Sequence, residues 1–395
     1  MIRIFLLAWV ALASAAGVAG AEEADSFEAV DRQFRASFCY ASSLALELQG
    51  DNNNAVQMLK RAVESDPNSA FLRSELERVS PEPEEDGKRL YRQQQYAEAE
   101  KAFSKSLERD PKDKESLLLR GMSRLQSKKY GDAETDFLAL GRLEKENPGH
   151  LYGLGLSQLG QGKRDAAEKT FKKLLKLQAT AVPAYVQLAF IYDKTSRTAE
   201  AVELLKAGVA QNPDSGELVL LLAAGYSDAG ENSKVEKVLL DGISKVTDNG
   251  ALRFQLAVYY DKAGDFLKCQ ATLESLIEAE PKNAPALNYL GYSYLDRGLR
   301  LKEAEALIRR ALKEDPGNHY YLDSLGWACY KAGRYKEARD LLVQASKALD
   351  EPDVEEAVVF EHLGKTYEKL GDKKNAKANL DRAEHFRSLG RPHDR

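Results

Sequence analysis

Hydrophobic and small residues return along this chain at a fixed interval. The segments "YAEAEKAFSKSLERDP" (96–111), "TAEAVELLKAGVAQNP" (198–213), "DFLKCQATLESLIEAEP" (265–281) and "RYKEARDLLVQASKALDEP" (334–352) share one pattern, each closing on an acidic or amide residue and Pro. Each follows a second helical stretch rich in small residues, such as "VQLAFIYDKTS" or "FQLAVYYDKAG". Aligned on small residues and prolines, ten units begin near 36, 80, 114, 148, 182, 216, 250, 284, 319 and 357, and from 80 to 284 every step is 34 residues. A period of that length predicts stacked helix pairs, helix A then helix B, with each unit burying its apolar face on its neighbours.

The recurring residues have physical reasons. Position 8 of a unit is Gly or Ala in nine copies (Gly87, Gly121, Gly155, Ala189, Ala223, Ala257, Gly291, Gly326, Gly364), which lets helices A and B approach closely. Position 20 is Ala55, Ala99, Ala133, Ala167, Ala201, Ala338 or Ala376, with Cys269 in the same place and Ala304 one residue late. Position 24 carries a wedge: Phe103, Phe137, Phe171, Leu205, Leu239, Leu273. Pro67, Pro111, Pro213, Pro281 and Pro316 stop helix B, and glycines 162, 230, 264, 333 and 371 turn A into B. The pattern breaks in places. "AFLRSELERV" predicts an extra short helix and "SPEPEEDG" a stiff charged hinge, while an acidic insertion, "DEPDVEE", precedes the last unit.

This resembles the tetratricopeptide repeat over roughly 36–386. The resemblance implies an all-α, right-handed superhelical solenoid of about ten helix-turn-helix repeats. The expected organisation is a secretory signal (1–21), repeat 1 with its extra helix (22–79), a solenoid of repeats 2–10 (80–386) and a basic tail (387–395).

The first 21 residues differ from the rest. "MIRIFLLAWVALASAAGVAGA" has one Arg, an apolar run and small residues at the −3 and −1 positions before "EEAD". It reads as a signal peptide cleaved after Ala21, with an uncleaved signal anchor as the alternative. Export, to the periplasm in the reading taken here, follows from it. No Cys follows in lipoprotein fashion, so membrane proximity has no lipid anchor to rest on. The composition, 43% hydrophobic and 30% charged with a net charge of −5, belongs to a well-packed chain and gives no reason to expect nucleic acid. Cys39, Cys269 and Cys329 are odd in number and far apart, and occupy packing positions rather than a disulfide framework.

Catalytic motifs fail one by one. "LGQGKRD" lacks both the upstream Gly and the Ser/Thr of a phosphate loop. The five histidines have no metal-ligand spacing, and no cofactor is expected. In "HYYLDSLGW" (319–327), His319 and Asp323 share a face, but Ser324 lies about 140° round the helix from His319. A triad would need partners from other repeats, and the sequence offers no candidate. The expectation is a protein with no catalytic residues.

In the tetratricopeptide family, positions 2, 5, 9, 12 and 13 of helix A face the ligand. Carried over, they give Phe190, Phe254, Asn288, Tyr292, Tyr320, Asp323, Trp327, Tyr330 and Lys331 as a partner-binding surface. Aromatics mixed with both charge signs suit an extended peptide or a partner helix. The Lys/Asn clamp of chaperone-tail-binding repeats is missing. "ALNYLGYSYLDRG", "DSLGWACYKAGRYKEA" and "EHLGKTYEKLGDKKNA" resemble, more closely, bacterial envelope tetratricopeptide proteins, some of which present substrates to a periplasmic carboxy-terminal processing protease. That resemblance implies an adaptor for an envelope protease or cell-wall enzyme. The alternatives are a scaffold for envelope assembly or polysaccharide export and, behind it, a solute- or lipid-binding carrier.

Overall fold

The computed structural model describes residues 21–79, 82–145, 147–349 and 357–389, with side chains from Val30 onward. The expected signal segment up to residue 20, the acidic insertion at 350–356 and the last six residues lie outside them. Within the described residues the chain forms 21 helices and no strand. They are α1 (Ala21–Leu48), α2 (Asn52–Ser65), α3 (Ala70–Val79), α4 (Pro83–Arg92), α5 (Tyr96–Arg109), α6 (Lys114–Gln126), α7 (Tyr130–Leu143), α8 (Pro148–Gly160), α9 (Arg164–Leu177), α10 (Val182–Asp193), α11 (Thr198–Gln211), α12 (Gly216–Asp228), α13 (Asn232–Lys245), α14 (Gly250–Lys262), α15 (Phe266–Ala279), α16 (Ala284–Asp296), α17 (Leu301–Glu314), α18 (His319–Lys331), α19 (Tyr335–Lys347), α20 (Ala357–Lys369) and α21 (Lys373–Leu389). The fold is an all-α tetratricopeptide solenoid. Its chain divides into two compact units, Met1–Ala167 and Glu168–Arg395.

From repeat 3 on, helix A begins at the residue the alignment named: 114, 148, 182, 216, 250, 284, 319 and 357. The short helix α3 forms over "AFLRSELERV". The hinge reading needs correction from residue 83 on, residues 80 and 81 lying outside the described ones: Glu82 stands at the N-cap of α4 without a side-chain hydrogen bond and Pro83 opens the helix, so Glu84, Glu85 and Asp86 lie in its first turn. Acidic side chains are stabilising there, against the helix dipole. At the far end α21 runs past 386 to Leu389.

In repeats 2 to 7 volume is traded between positions 8 and 24, whereas repeats 9 and 10 keep Gly opposite a Leu. A Cβ added to Gly121 would meet the Phe137 ring at 2.8 Å, and one added to Gly326 would meet Leu342 Cγ at 2.6 Å. Where the wedge is the smaller Leu205, Leu239 or Leu273, position 8 is Ala. The A–B turn is left-handed throughout: Gly162, Gly230, Gly264, Gly298, Gly333 and Gly371 have φ between +67° and +80°, and Gln94, Lys128 and Ser196 take the same turn without a glycine. Helix B stops short of its proline each time, at Ser65, Arg109, Gln211, Ala279 and Glu314.

Neighbouring repeats are also stapled by charge at a spacing of 29 residues. In the first unit Lys129 and Lys163 donate to Glu100 and Glu134 at 2.7 and 2.8 Å; in the second, Arg197 and Arg334 donate to Glu168 and Glu305, both at 2.7 Å. Each pair contributes little alone, but the repetition supports a fixed stacking register. Arg197 and Lys172 together hold Glu168 down at about 2, partly offset by burial.

Candidate peptide-binding site

Helices α16, α18 and α20 are the A helices of the last three repeats. Asn283 caps α16 by accepting from the Ala286 N–H at 3.0 Å, and Asn318 caps α18 through the Tyr320 N–H at 3.0 Å. Gly291, Gly326 and Gly364 lie against Ile308, Leu342 and Leu380 and draw each A helix onto its own helix B. Helix α18 is the most enclosed, buried without a break from Tyr321 to Cys329.

Position 5 of one A helix meets position 6 of the next. Phe254 packs edge-on against Tyr289, centroids 5.6 Å apart, and the Tyr289 hydroxyl donates to Asp261 Oδ2 at 2.9 Å. Two repeats on, His362 Nδ1 lies 3.0 Å from both carboxylate oxygens of Asp323, and both residues are buried. The rung between these two is unmade. Its residues by register are Asn288 and Ser324, yet no hydrogen bond joins them, and among the described residues nothing donates to the buried Oδ1 of Asn288. A buried acceptor without a donor costs roughly 1–3 kcal/mol.

Trp327 lies beside the Asp323–His362 rung. The His362 ring is 4.0 Å from it at 12° and the Tyr330 ring 4.6 Å from it at 8°. Two parallel rings at such distances cannot share one face, so they sandwich the indole. Lys331 and Lys365 bring their Nζ atoms to 5.2 and 5.6 Å from its centroid. Burial, reinforced by the charges of Asp323, Asp296 and Glu361, pushes the Tyr292 phenol up to about 12. Lys365 and Arg387 hold Glu361 down at about 2 against the effect of burial.

The expected surface therefore splits. Phe190 and Tyr320 are exposed, at 50% and 48%, and Lys331 is exposed beside them in chemistry if not in sequence. Asn288, Tyr292, Phe254 and Tyr330 are half-buried. Asp323 and Trp327, expected as open groove side chains, are closed in by His362 and Tyr330, because position 6 of the following repeat reaches back over position 5. His362 is the residue the sequence reading left out of the site. The same position-6 reach at Tyr289 was the available signal. A histidine from another repeat does meet Asp323, where no candidate had been expected; Ser324 makes no hydrogen bond to the pair. Among the described residues no cluster of ligating side chains could hold a metal ion. Burial raises the thiols of Cys269 and Cys329 to about 11, which leaves them unreactive packing residues near neutral pH.

Three models described as tetratricopeptide repeat match residues 158–225; 85–148, 254–319 and 300–354; and 36–69 and 357–384. A TPR repeat-containing protein of Pseudomonas aeruginosa is 29% identical over 184 residues, 46% of this chain and 30% of that protein, so the match spans less than a third of the relative's length. Among solved structures, the Cut9–Hcn1 hetero-tetramer of the APC/C is 15% identical, covering 89% of this chain and 73% of that one, with a TM-score of 0.47. Yeast Tom70 is 12% identical, covering 89% and 92%, also with a TM-score of 0.47. Helix pairs, left-handed turns and wedges recur in register, and models of this one repeat match in segments from 36 to 384: the chain belongs to the tetratricopeptide repeat family.

Proposed function

We propose that this protein is an exported, non-catalytic scaffold that captures an extended segment of a partner protein along α16, α18 and α20. Tetratricopeptide repeat proteins bind protein partners, and the observation that carries this reading is the open rung at Asn288. Its Oδ1 is enclosed and has no donor among the described residues, and a rotation of this half-buried side chain would present the oxygen to the backbone N–H of an extended peptide. Tyr320 and Lys331 offer exposed contact at the two ends of α18, while Asp323, His362 and Trp327 pack on one another between them.

Adaptor work for an envelope protease or cell-wall enzyme is the finer reading. It rests on the sequence signature of repeats 8–10 and on the signal-like first 21 residues. A scaffold for envelope assembly or export is the second. The test is a photo-cross-linking amino acid placed at Tyr320 in living cells, with Leu240 on α13 as the control site. A protein captured at Tyr320, and lost in Asn288→Ala, is the expected result. A protease or hydrolase in the captured material supports the adaptor reading, and export machinery supports the second. Capture unchanged by Asn288→Ala and Lys331→Ala, with helicity intact, would remove the site.

A further inference from the structure

The B helices of the last repeats begin in a way the earlier ones avoid. The second residue of helix B is Ala97, Gly131, Asp165, Ala199 and Ser233 in repeats 2 to 6, and Lys302, Lys336 and Lys374 in repeats 8 to 10. A cation in the first turn opposes the positive end of the helix dipole, so helix stability gives no reason for it. These three lysines are exposed, as are Lys262, Lys369 and Lys373 at the same A–B turns, and none of the six is in an ion pair among the described residues. Of the carboxylates there, Asp265, Glu303 and Glu337 have Lys268, Arg300 and Arg334 at 3.6, 3.6 and 3.3 Å. That leaves Asp296, Glu368 and Asp372 against six lysines, an excess of positive charge in a chain of net charge −5. The turns of repeats 5 and 6 have no such excess: Lys194 meets Asp193 at 3.3 Å, Arg197 meets Glu168 at 2.7 Å, and Lys234 pairs with Glu231.

Apolar side chains project from the same edge. Leu267, the second residue of α15, is 79% exposed, and Leu299 and Leu301 are 44% and 41% exposed. Leu299 follows the turn glycine of repeat 8, where repeats 6, 7, 9 and 10 place Glu231, Asp265, Arg334 and Asp372. Repeat 8 is one residue longer than its neighbours, and Arg300 takes φ +43°, a second left-handed residue two positions after Gly298. Such a backbone is unfavourable for a side chain and is found where the surroundings put it to use. Turns 7 and 8 are tied together: Arg297 donates to Asp261 at 2.6 Å and its guanidinium covers the Phe266 ring at 4.3 Å. The three leucines thus share one edge.

We infer that the A–B turn edge of repeats 7 to 10 rests on an anionic lipid surface. Charge complementarity sets the sign of the occupant, and the kind of cation sets its nature. Arg297, Arg300 and Arg334 are engaged by carboxylates within the solenoid, and the unpaired cations are all lysines. Lysines are point charges on flexible stems, suited to a diffuse layer of headgroup phosphates, whereas a carboxylate or phosphate fixed on a protein favours the fork of arginine. The leucines stand on turn tips, and the boundary of the acyl chains accepts a projecting side chain without a matching pocket. The edge is distinct from the proposed peptide site at Asn288 and Tyr320, so it stands or falls separately from that site.

The test is flotation of the exported full chain with vesicles of phosphatidylglycerol or of phosphatidylcholine. The chain is expected to float with the first and not the second, and to be released at about 0.5 M NaCl, where the attraction is screened. Lys302→Glu with Lys336→Glu and Lys374→Glu should lower the bound fraction about ten-fold or more. Leu267→Ser with Leu299→Ser and Leu301→Ser should lower it as well. Lys237→Glu with Leu240→Ser, both exposed on α13, should leave it unchanged. A chain that stays down with phosphatidylglycerol vesicles overturns the inference, as does equal flotation with both lipids. Flotation that survives the lysine and leucine changes also overturns it and assigns membrane contact to another part of the chain. A cross-linking amino acid at Leu299 that captures an acidic protein, in a chain that does not float, overturns it in favour of a protein partner.

Discussion

Two buried aspartates show how differently this solenoid uses a charge. Asp136 of α7 is 1% exposed and gripped by two guanidiniums: Arg120 Nη2 and Nε at 2.7 and 3.1 Å, and Arg124 Nη1 at 2.7 Å. Those arginines are held in turn by Ser104 Oγ and Glu100. Asp323 of α18 is 5% exposed and, among the described residues, has a single side-chain hydrogen-bond partner, His362, reaching across from the next repeat. The first arrangement joins helices A and B inside one repeat with permanently charged partners, and it is built to stay shut. The second joins two repeats through one side-chain pair and borders the unmade rung at Asn288. The same residue type thus fastens helices within one repeat and links neighbouring repeats in the other region.

The largest effect expected from this contrast is at the first site. Asp136→Ala leaves two largely buried guanidiniums without their shared acceptor and should cost about 3–5 kcal/mol. It would appear as loss of hydrogen-exchange protection in α6 and α7. A cost under 1 kcal/mol would mean that Glu100 and Ser104 suffice, and the contrast would fail. Next comes Asp323→Ala, expected to cost about 2 kcal/mol through one charge-assisted hydrogen bond. A double-mutant cycle with His362→Ala isolates the pair, and a coupling energy near zero would show the two residues act independently.

Most of the fold could be read from the sequence because a 34-residue period repeats the same physical demand many times. Pro111, Gly121 and Phe137 each have counterparts one period away, so a misreading at one copy is corrected by the others. The turns at Gln94, Lys128 and Ser196 carry no glycine, yet their register alone locates them. The candidate site was harder. Positions 5 and 9 were expected to face outward together, which holds for Asn288 and Tyr292 in part and not for Asp323 and Trp327. Whether such a side chain is open or covered depends on the residue at position 6 of the following repeat, a contact across 39 residues between Asp323 and His362. No periodicity within one helix reports it. The acidic run at 82–86 misled for a local reason: charge and proline suit a hinge and a helix first turn equally well.

Trp327 sharpens the comparison optically, with a smaller free-energy change. Apart from Trp9 it is the one tryptophan of the chain, stacked directly on His362. His362→Gln should change its emission intensity and red-shift the maximum as the stack loosens. Asp136→Ala, in the other region, should leave the native-state spectrum alone. Equal changes in both variants would show that the two regions are not independent.

The smallest expected effect concerns acid. Glu361 titrates at about 2 in the folded protein against an ordinary value near 4.5, because Lys365 and then Arg387 stabilise its carboxylate. Since the folded value is the lower one, its contribution is complete above about pH 4.5 and is lost as the pH falls toward 2. Glu361→Gln should therefore be less stable than the parent near pH 7, by under about 1 kcal/mol for a partly exposed pair, and the gap should close on acidification. Asp136 cannot be probed this way without unfolding its region, whereas Glu361 can be removed with the fold intact. A gap that persists unchanged at pH 2 would mean that the Glu361 side chain acts through packing and not through the charges of Lys365 and Arg387.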